Sequence, residues 1–347
     1  MSRIELRSAP HVHAPRSVQT IMFNVVLALL PICFFSVYQY GLTSAVLIVT
    51  VTATCLGTER FFSSLSGKGN TLADWSATIT GLLLALTLPP NFPLWMGAVA
   101  GFAAIALGKT LFGGLGFNPF NPALVGRAFI QAAFPSTIAS FIPAYAPQRF
   151  VELAPSSLTF PFLIPSDNAA WIKAAAVDAF TGATPLARWK FENFTYSAQD
   201  FLSGVVTASA GETSAIIILL CGGYLAVRRF MDWRIPVAVL GSAVLIAWGF
   251  YLYDATHFPA PMFVLLSGGL VLGAVFMATD MATSPVTPLG VWIYGALIGV
   301  LTVIIRYFGG LTEGVMYAIL IGNASVPLIE LVTQPRTYGA NKRGEHK

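Results

Sequence analysis

The residues with the clearest chemical potential lie at positions 177–187, VDAFTGATPLA. Thr184 is followed by proline, which disfavours the α conformation at Thr184 and favours an extended one. Gly182 and Ala183 are small, so a second molecule has room to approach the hydroxyl. Asp178 supplies an acid nearby. Two interpretations stay open on these residues alone: a hydroxyl presented to another enzyme for modification, or a turn or helix cap built from Asp, Thr and Gly.

Three further motifs bring polar residues, Gly and Pro into apolar sequence. They are GFNPFNPALVGRAF at 116–129, MATDMATSPVTPLG at 277–290 and RYFGGLTEGVMYAILIGNA at 306–324. Together with residues 178–184, they resemble the RnfD/NqrB family, and more closely its Rnf branch, over essentially the whole chain. Thr181 stands where serine is frequent in the family, and both side chains offer a hydroxyl.

The resemblance implies a covalent cofactor. A flavin transferase would join FMN to Thr184 through a phosphate ester, which makes the chain a phosphoprotein, and Asp178, Thr181, Gly182 and Ala183 would be the recognition sequence around it. The resemblance also implies a noncovalent riboflavin, for which no residues can be assigned from the sequence. The predicted cofactor site therefore consists of Thr184 with Asp178, Thr181, Gly182 and Ala183. No catalytic residue is predicted.

The same resemblance implies a role in electron transport. The chain would be a subunit of an ion-translocating oxidoreductase complex, with other Rnf subunits, including an outer-face flavoprotein subunit, as partners. Electrons would pass between NADH- or ferredoxin-linked partners, coupled to sodium or proton translocation. No GxGxxG motif opens a helix after a strand, so direct NADH oxidation by this chain is not expected. The chain has no complete active site of its own.

The composition indicates an integral membrane protein. Of its 347 residues 56% are hydrophobic and only 10% are charged, against about 25% charged in soluble proteins. The net charge of +4 is spread over the ends of apolar runs and forms no stripe of the kind that binds nucleic acid. Lipid head groups are the expected partner, and nucleic acid is not.

Cysteine and histidine usage gives no metal or disulfide site. Cys33, Cys55 and Cys221 each lie within an apolar run, without the CxxC spacing of a ligand pair. His11 and His13 have no third ligand nearby. Neither a disulfide framework, an iron–sulfur cluster nor another metal centre is predicted.

Apolar runs predict an all-α polytopic fold with about ten transmembrane helices, some of them partial. Five runs form each half, and because five is odd the halves would be inverted repeats. The predicted runs are 20–38, 43–57, 73–88, 93–111 and 121–134, then 214–227, 235–253, 262–277, 291–305 and 313–332. The predicted organisation is a tail (1–19), a first half (20–134), a loop with the attachment site (135–212), a second half (213–332) and a tail (333–347).

The two proline-interrupted motifs at 116–129 and 277–290 are expected at matching places of the halves, lining a central site. The alternative, that they are merely loops, remains. Asp280, Arg127 and Lys109 are ionisable groups near the membrane and are candidates for function, although each also fits a charge at the membrane interface.

Charge distribution predicts the orientation. Arg228, Arg229 and Arg234 form a basic cluster between two spans, which by the positive-inside rule lies in the cytoplasm. Both termini are then cytoplasmic and the Thr184 loop is on the periplasmic face of a bacterial inner membrane. Aromatic residues of this loop fit an interfacial belt better than a stack on a flavin ring; they are Trp171, Trp189, Phe191, Phe194 and Tyr196. A solute channel or transporter with two inverted halves is the alternative function.

Overall fold

The structure is a computed structural model that describes residues 17–67, 71–166, 168, 171–172, 184–196, 201, 208–212, 214–310 and 313–335. Its regular structure is helical throughout the described residues, which hold 13 helices and no strand. The predicted all-α polytopic fold is confirmed.

The first half contains α1 (Val18–Tyr40), α2 (Leu42–Leu65), α3 (Ser76–Thr87), α4 (Leu94–Gly108) and α5 (Pro122–Ala133). The connecting segment contains α6 (Pro135–Ile138) and α7 (Pro185–Glu192). The second half contains α8 (Ala215–Val227), α9 (Arg234–Tyr253), α10 (Pro261–Leu266), α11 (Leu270–Leu272), α12 (Pro288–Phe308) and α13 (Val315–Thr333). Single 3-10 turns lie at Thr71–Asp74, Thr110–Phe112 and Pro155–Leu158, and a π turn at Gly273–Met277 continues α11.

Six of these helices are long and apolar enough to cross a membrane: α1, α2, α4, α9, α12 and α13. The shorter apolar helices α3 and α8, together with α5 and the broken segment from α10 to the π turn, account for the other predicted runs. Helix α3 stops before Pro89 and Pro90, which cannot continue a helix. The break after α10 is at Gly268, whose φ of 64° is readily adopted only by glycine.

Helix α2 is longer than its apolar run predicts. The run ends at Gly57, whereas the helix continues to Leu65. The extra turns carry Glu59, which is buried and pairs with Lys109 Nζ at 2.6 Å. In the sequence, Glu59 suggests that the membrane span has ended. In the structure it lies inside the protein, because Lys109 at the end of α4 pairs with it.

The two halves repeat the same packing order. Helix α2 packs on α3 and α4, and α4 packs on α5; in the second half α9 packs on α10 and α12, and α12 packs on α13. Gly97 and Gly101 of α4 face α2, and Gly295 and Gly299 of α12 face α9. Glycines four residues apart let two helix backbones approach closely. The same spacing on corresponding helix pairs supports two structural repeats.

Corresponding helices also meet across the halves, and two hydrogen bonds join the halves. Helix α1 packs on α8, and α5 packs on α13. Tyr224 of α8 donates its hydroxyl to Asn24 Oδ1 of α1 at 2.7 Å. Asn121 Nδ2, ahead of α5, donates to the carbonyl of Met277 at 3.2 Å. The interface between the halves thus contains directional hydrogen bonds in addition to apolar packing.

The expected match of the two proline-interrupted motifs was wrong in register. Residues 277–290 precede α12, whose counterpart is α4, so they correspond to residues 88–93. Residues 116–129 lead into α5 and correspond to residues 309–314, which lead into α13. Sequence identity between the halves is too slight to fix this register. The two motifs nevertheless meet, through the Asn121 to Met277 hydrogen bond.

The first part of the connecting segment is attached to the first half. The backbone N–H of Leu42 donates to Arg149 O at 2.9 Å. Ser156 Oγ donates to the carbonyl of Asn91, in the turn after α3, at 2.7 Å. These bonds satisfy backbone groups that the helix ends leave free.

Candidate functional site

Thr184 is the N-cap of α7. Its Oγ1 accepts a hydrogen bond from the backbone N–H of Ala187 at 3.3 Å, and its backbone is extended, with φ −69° and ψ 158°. Only 7% of the residue is exposed. The extended conformation and the helix cap, both deduced from the sequence, therefore occur together. Asp178, Thr181, Gly182 and Ala183 lie outside the described residues.

A small cavity of about 10 Å³ lies beside Thr184. It lies where α7 meets the segment before α8 and the break after α10. Glu212 and Gly268 contribute to its wall, and Phe201 and Leu266 make it partly apolar. Thr184 therefore shares this cavity with an acidic residue, Glu212.

Helix α7 is fastened to the second half of the protein. Lys190 Nζ donates to the carbonyl of Arg306 at 3.1 Å and also to the carbonyl of Gly309. These are carbonyls at the C-terminal end of α12, which favours a cation. Burial lowers the pKa of Lys190. Leu186 and Trp189 are buried in the main core, so the position of Thr184 is set by α12.

Most aromatic residues of the connecting segment are used in packing. Trp171 is buried in a small second core, and Trp189 packs on Tyr307 with ring centroids 5.3 Å apart. The Arg188 guanidinium lies over the ring of Phe194 at 4.3 Å and donates to Tyr196 Oη at 2.7 Å. Phe191 is exposed. Trp171, Trp189, Phe194 and Tyr196 thus contact other parts of the protein, and their position at a membrane interface stays a prediction.

A cluster of charged side chains lies between the halves, close to the Thr184 cavity. Arg127 of α5 forms a partly buried ion pair with Glu313, which precedes α13. Glu212 lies with this pair around a second small cavity of about 10 Å³. Arg127 is 8% exposed, and its ion pair joins one half of the protein to the other.

Arg306 of α12 completes this cluster. It is 1% exposed, and its guanidinium donates to Val264 O at 2.7 Å and to Ser267 O at 3.0 Å. Those carbonyls are freed at the end of α10, where the helix breaks. A buried arginine thus holds the break that forms one wall of the Thr184 cavity.

A cavity of about 80 Å³ with a mixed polar and apolar lining lies between the halves near the two proline-interrupted motifs. Lys109 and Asp280 face it together with Asn118 and Asn121, and apolar side chains such as Phe276 form much of the remaining wall. The two motifs therefore line one site, as the sequence predicts, although they are not counterparts.

The charged groups of this cavity are held in place. Lys109 is 4% exposed and donates to Glu59 Oε1 and to Ser76 Oγ, each at 2.6 Å. Asp280 Oδ1 accepts from the backbone N–H of Ala282 at 3.2 Å. Lys109 and Asp280, both predicted from the sequence as candidates for function, thus line a cavity in which hydrogen bonds fix their positions.

Comparison with known proteins decides the family. The model of the NQR2, RnfD, RnfE family matches residues 5–339. The chain belongs to this family. It is 37% identical over 347 residues to a protein of Clostridium ljungdahlii, the D component of a proton-translocating ferredoxin:NAD(+) oxidoreductase complex, and the match covers 97% of this chain and 96% of the relative.

Two further relatives are similar over nearly their whole length. The D component of a sodium-translocating ferredoxin:NAD(+) oxidoreductase complex of Acetobacterium woodii is 38% identical over 343 residues, covering 98% of this chain and 96% of that protein. The D component of an ion-translocating oxidoreductase complex of Halorhodospira halophila is 35% identical over 354 residues, covering 98% and 97%. The similarity is therefore not confined to one half or to the connecting segment.

The residues present fit the two flavins that the family resemblance implies. A phosphate ester on Thr184 would lie at the N-terminus of α7, where backbone N–H groups and the helix dipole favour negative charge. The cavity between the halves has a few polar groups in an apolar wall, a lining that is typical of ligand sites. An isoalloxazine ring has the same division into apolar faces and polar edges.

Sequence reasoning missed Glu59, Glu212, Arg306 and Glu313. Each is a charged residue inside or at the end of an apolar run, and that position is a signal of function in membrane proteins. What the sequence lacks is the partner of each charge, because the partners come from distant segments.

Proposed function

We propose that this chain is the membrane flavoprotein subunit of an ion-translocating oxidoreductase complex of the Rnf type. Electrons pass through FMN bound covalently to Thr184, between NADH- or ferredoxin-linked partners, and their flow is coupled to sodium or proton translocation. The family membership and the names of the full-length relatives support this function.

The observation that carries the proposal is the position of the Thr184 hydroxyl, at a helix N-terminus and beside a cavity. A phosphate there is stabilised by the helix dipole, by about 0.3–1 kcal/mol in exposed cases. Asp178, Thr181, Gly182 and Ala183 assist recognition by the transferase. The flavin, when bound, supplies the electron-transfer chemistry, and the protein supplies its position and surroundings.

The larger cavity is proposed as the site of the noncovalent riboflavin. Lys109 and Asp280 offer a donor and an acceptor to the polar edge of the ring, while Phe276 and its neighbours offer an apolar surface. Asn118 Nδ2 donates to Phe120 O at 3.1 Å, and Asn121 bonds the Met277 carbonyl, so these amides shape the wall.

The proposed partners are the other subunits of the complex, including an outer-face flavoprotein subunit, a flavin transferase for maturation, and the lipid bilayer. The proposed location is the bacterial inner membrane, with both termini in the cytoplasm and the Thr184 loop in the periplasm.

Mass spectrometry of the intact chain tests the attachment, followed by peptide mapping to locate the modified residue. We expect the added mass of FMN on Thr184. The purified subunit should also keep its flavin oxidised when NADH is added, because reduction needs the partner subunits. An unmodified chain from a host that expresses the transferase would contradict the proposal and favour the channel or transporter alternative.

A further inference from the structure

One part of the connecting segment, residues 153–166, has no charged residue between Glu152 and Asp167. Its polar groups are turned inward. Ser156 is buried, its N–H donates to Asn168 Oδ1 at 3.2 Å, and its Oγ accepts from Asn168 Nδ2 at 3.1 Å. Both residues line a cavity of about 430 Å³ whose wall also contains the hydroxyl groups of Ser136, Thr137 and Ser140.

The apolar side chains of the same segment are turned outward. Phe162 is 93% exposed and Ile164 is 92% exposed, and Phe160 and Leu163 are each more than half exposed. These four residues are the apolar patch; Ile164 lies at its rim, beside the cavity. Single exposed apolar residues are ordinary, but a contiguous group marks a surface that contacts a membrane or another protein.

The local backbone keeps a phenylalanine at the tip of the patch. The N–H of Leu163 donates to Phe160 O at 3.2 Å, with Pro161 in the second position of the turn and Phe162 in the third, where φ is 67°. This is the pattern of a type II turn, whose third position favours glycine or asparagine. A bulky residue is unfavourable there, so the side chain of Phe162 is retained against the preference of the turn.

The patch lies at the end of a spanning helix. The ring of Phe162 packs on Trp95 with centroids 5.6 Å apart, and Trp95 is in the first turn of α4, which is long and apolar enough to cross a membrane. Phe102 is seven residues further along α4, on the same face, and is also exposed. The patch therefore continues the outward apolar face of α4 beyond the N-terminal end of that helix.

We propose that the apolar patch is an interfacial membrane anchor, which inserts between phospholipids in the leaflet at the N-terminal end of α4 and contacts their acyl chains just below the head groups. Protein interfaces have a polar rim and direct hydrogen bonds, whereas the outward side chains of the patch carry no hydrogen-bonding group. Pro161 and Pro165 have no N–H, which reduces the number of backbone donors that need a partner away from water. The anchor goes beyond the proposed function and does not depend on a bound flavin.

Fluorescence quenching of the full chain tests the anchor, in vesicles of phosphatidylethanolamine and phosphatidylglycerol. The native cysteines are buried, so a dye attached to Phe162→Cys reports on the patch, and the labelled parent chain is the blank. Lipids with a nitroxide near the top of the acyl chain should quench this dye several-fold more strongly than iodide in the water does. Leu163→Cys is the second position if Phe162→Cys does not fold.

The matched control is Ser166→Cys, an exposed position in the same loop. Its dye should be quenched more strongly by iodide than by the nitroxide lipids. The measurement is made on the chain alone and in the assembled complex, and lipid quenching at position 162 should persist in both. Stronger quenching by iodide at position 162 would overturn the anchor. Lipid quenching that disappears on assembly would also overturn it, because a partner subunit would then cover the patch.

A second variant tests whether the patch itself holds the loop in the bilayer. Phe160→Ser and Phe162→Gly are combined in the Leu163→Cys chain; glycine suits the positive φ, so the turn should be kept and thermal unfolding should be unchanged. Lipid quenching at position 163 should fall several-fold and iodide quenching should rise. Unchanged lipid quenching would refute the anchor. A chain without covalent flavin would refute the proposed function and leave these readouts as they are.

Discussion

Replacement of Thr184 by alanine removes two things at once. One is the hydroxyl proposed to carry FMN, and the other is the cap acceptor for the Ala187 N–H at 3.3 Å. Loss of an N-cap costs about 1 kcal/mol, with a range of about 0.5–2 kcal/mol. The expected cost is therefore larger than the roughly 0.5 kcal/mol typical of an exposed loop position, since only 7% of Thr184 is exposed.

Two further substitutions separate these roles. Thr184→Asn retains a good cap acceptor but has no hydroxyl to esterify, so it should be as stable as wild type and carry no covalent flavin. Thr184→Ser retains both roles and should be partly flavinylated. The matched control is Ser214→Ala, which removes the N-cap of α8, where Ser214 Oγ accepts from Ile217 N at 3.5 Å. It should lose stability and keep its flavin.

The assay combines in-gel flavin fluorescence of the denatured chain with thermal unfolding in detergent. Fluorescence in Thr184→Asn would refute the attachment assignment, and Thr181 would become the next candidate. Equal stability of wild type and Thr184→Ala would refute the capping argument but leave the attachment intact.

Three other predictions follow from charge and packing. A cysteine introduced at Ser166 should react with membrane-impermeant reagents from outside, and one at Arg229 should not; labelling of both from one side would contradict the predicted orientation. Glu313→Gln removes the carboxylate that pairs with Arg127 and leaves Glu212 as the acidic residue near this guanidinium, so thermal unfolding should show a loss of about 1.5–3 kcal/mol, and a loss below about 1 kcal/mol would indicate a solvated pair. Gly299→Ala should lower the free energy of unfolding by about 1–3 kcal/mol, because its Cβ would clash with the carbonyl oxygen of Val239. The control Gly249→Ala, which has no neighbouring atom within 4 Å of the added Cβ, should be neutral or stabilising. Equal effects of the two substitutions would refute the close packing of α9 on α12.

The general fold could be predicted from the sequence, because apolar runs indicate helices and prolines indicate turns, and both signals depend only on neighbouring residues. It was not sufficient where a distant partner decides the outcome. Glu59 resembles the end of a span, but Lys109 pairs with it and the helix continues. The correspondence between segments of the two halves was also misjudged. The sequence does contain a signal for it, because Gly97 and Gly101 of α4 have the same spacing as Gly295 and Gly299 of α12.

The candidate site was predicted in part. Thr184 was identified as an extended residue with a helix cap as one interpretation, and both features are observed. Its burial was not predicted, because this depends on α7 being fastened by Lys190 to the end of α12. Glu212 and Arg306 were not singled out, since a charge near an apolar run has no assigned partner until the helices are packed.

The polar contacts between the halves have a consequence for biogenesis. Each half can complete its own glycine-mediated packing while it is still alone in the bilayer, and the amino-terminal half is synthesised first. Until the second half arrives, Asn24 and Asn121 face lipid or a transient partner without the bonds that Tyr224 and Met277 later complete. Each amide keeps one hydrogen bond within the first half, from Asn24 to Thr20 O and from Ala123 N to Asn121, and leaves its other polar atom without the bond that the second half supplies. Polar atoms without hydrogen bonds are unfavourable in hydrocarbon, so both bonds favour the alignment in which the halves dock.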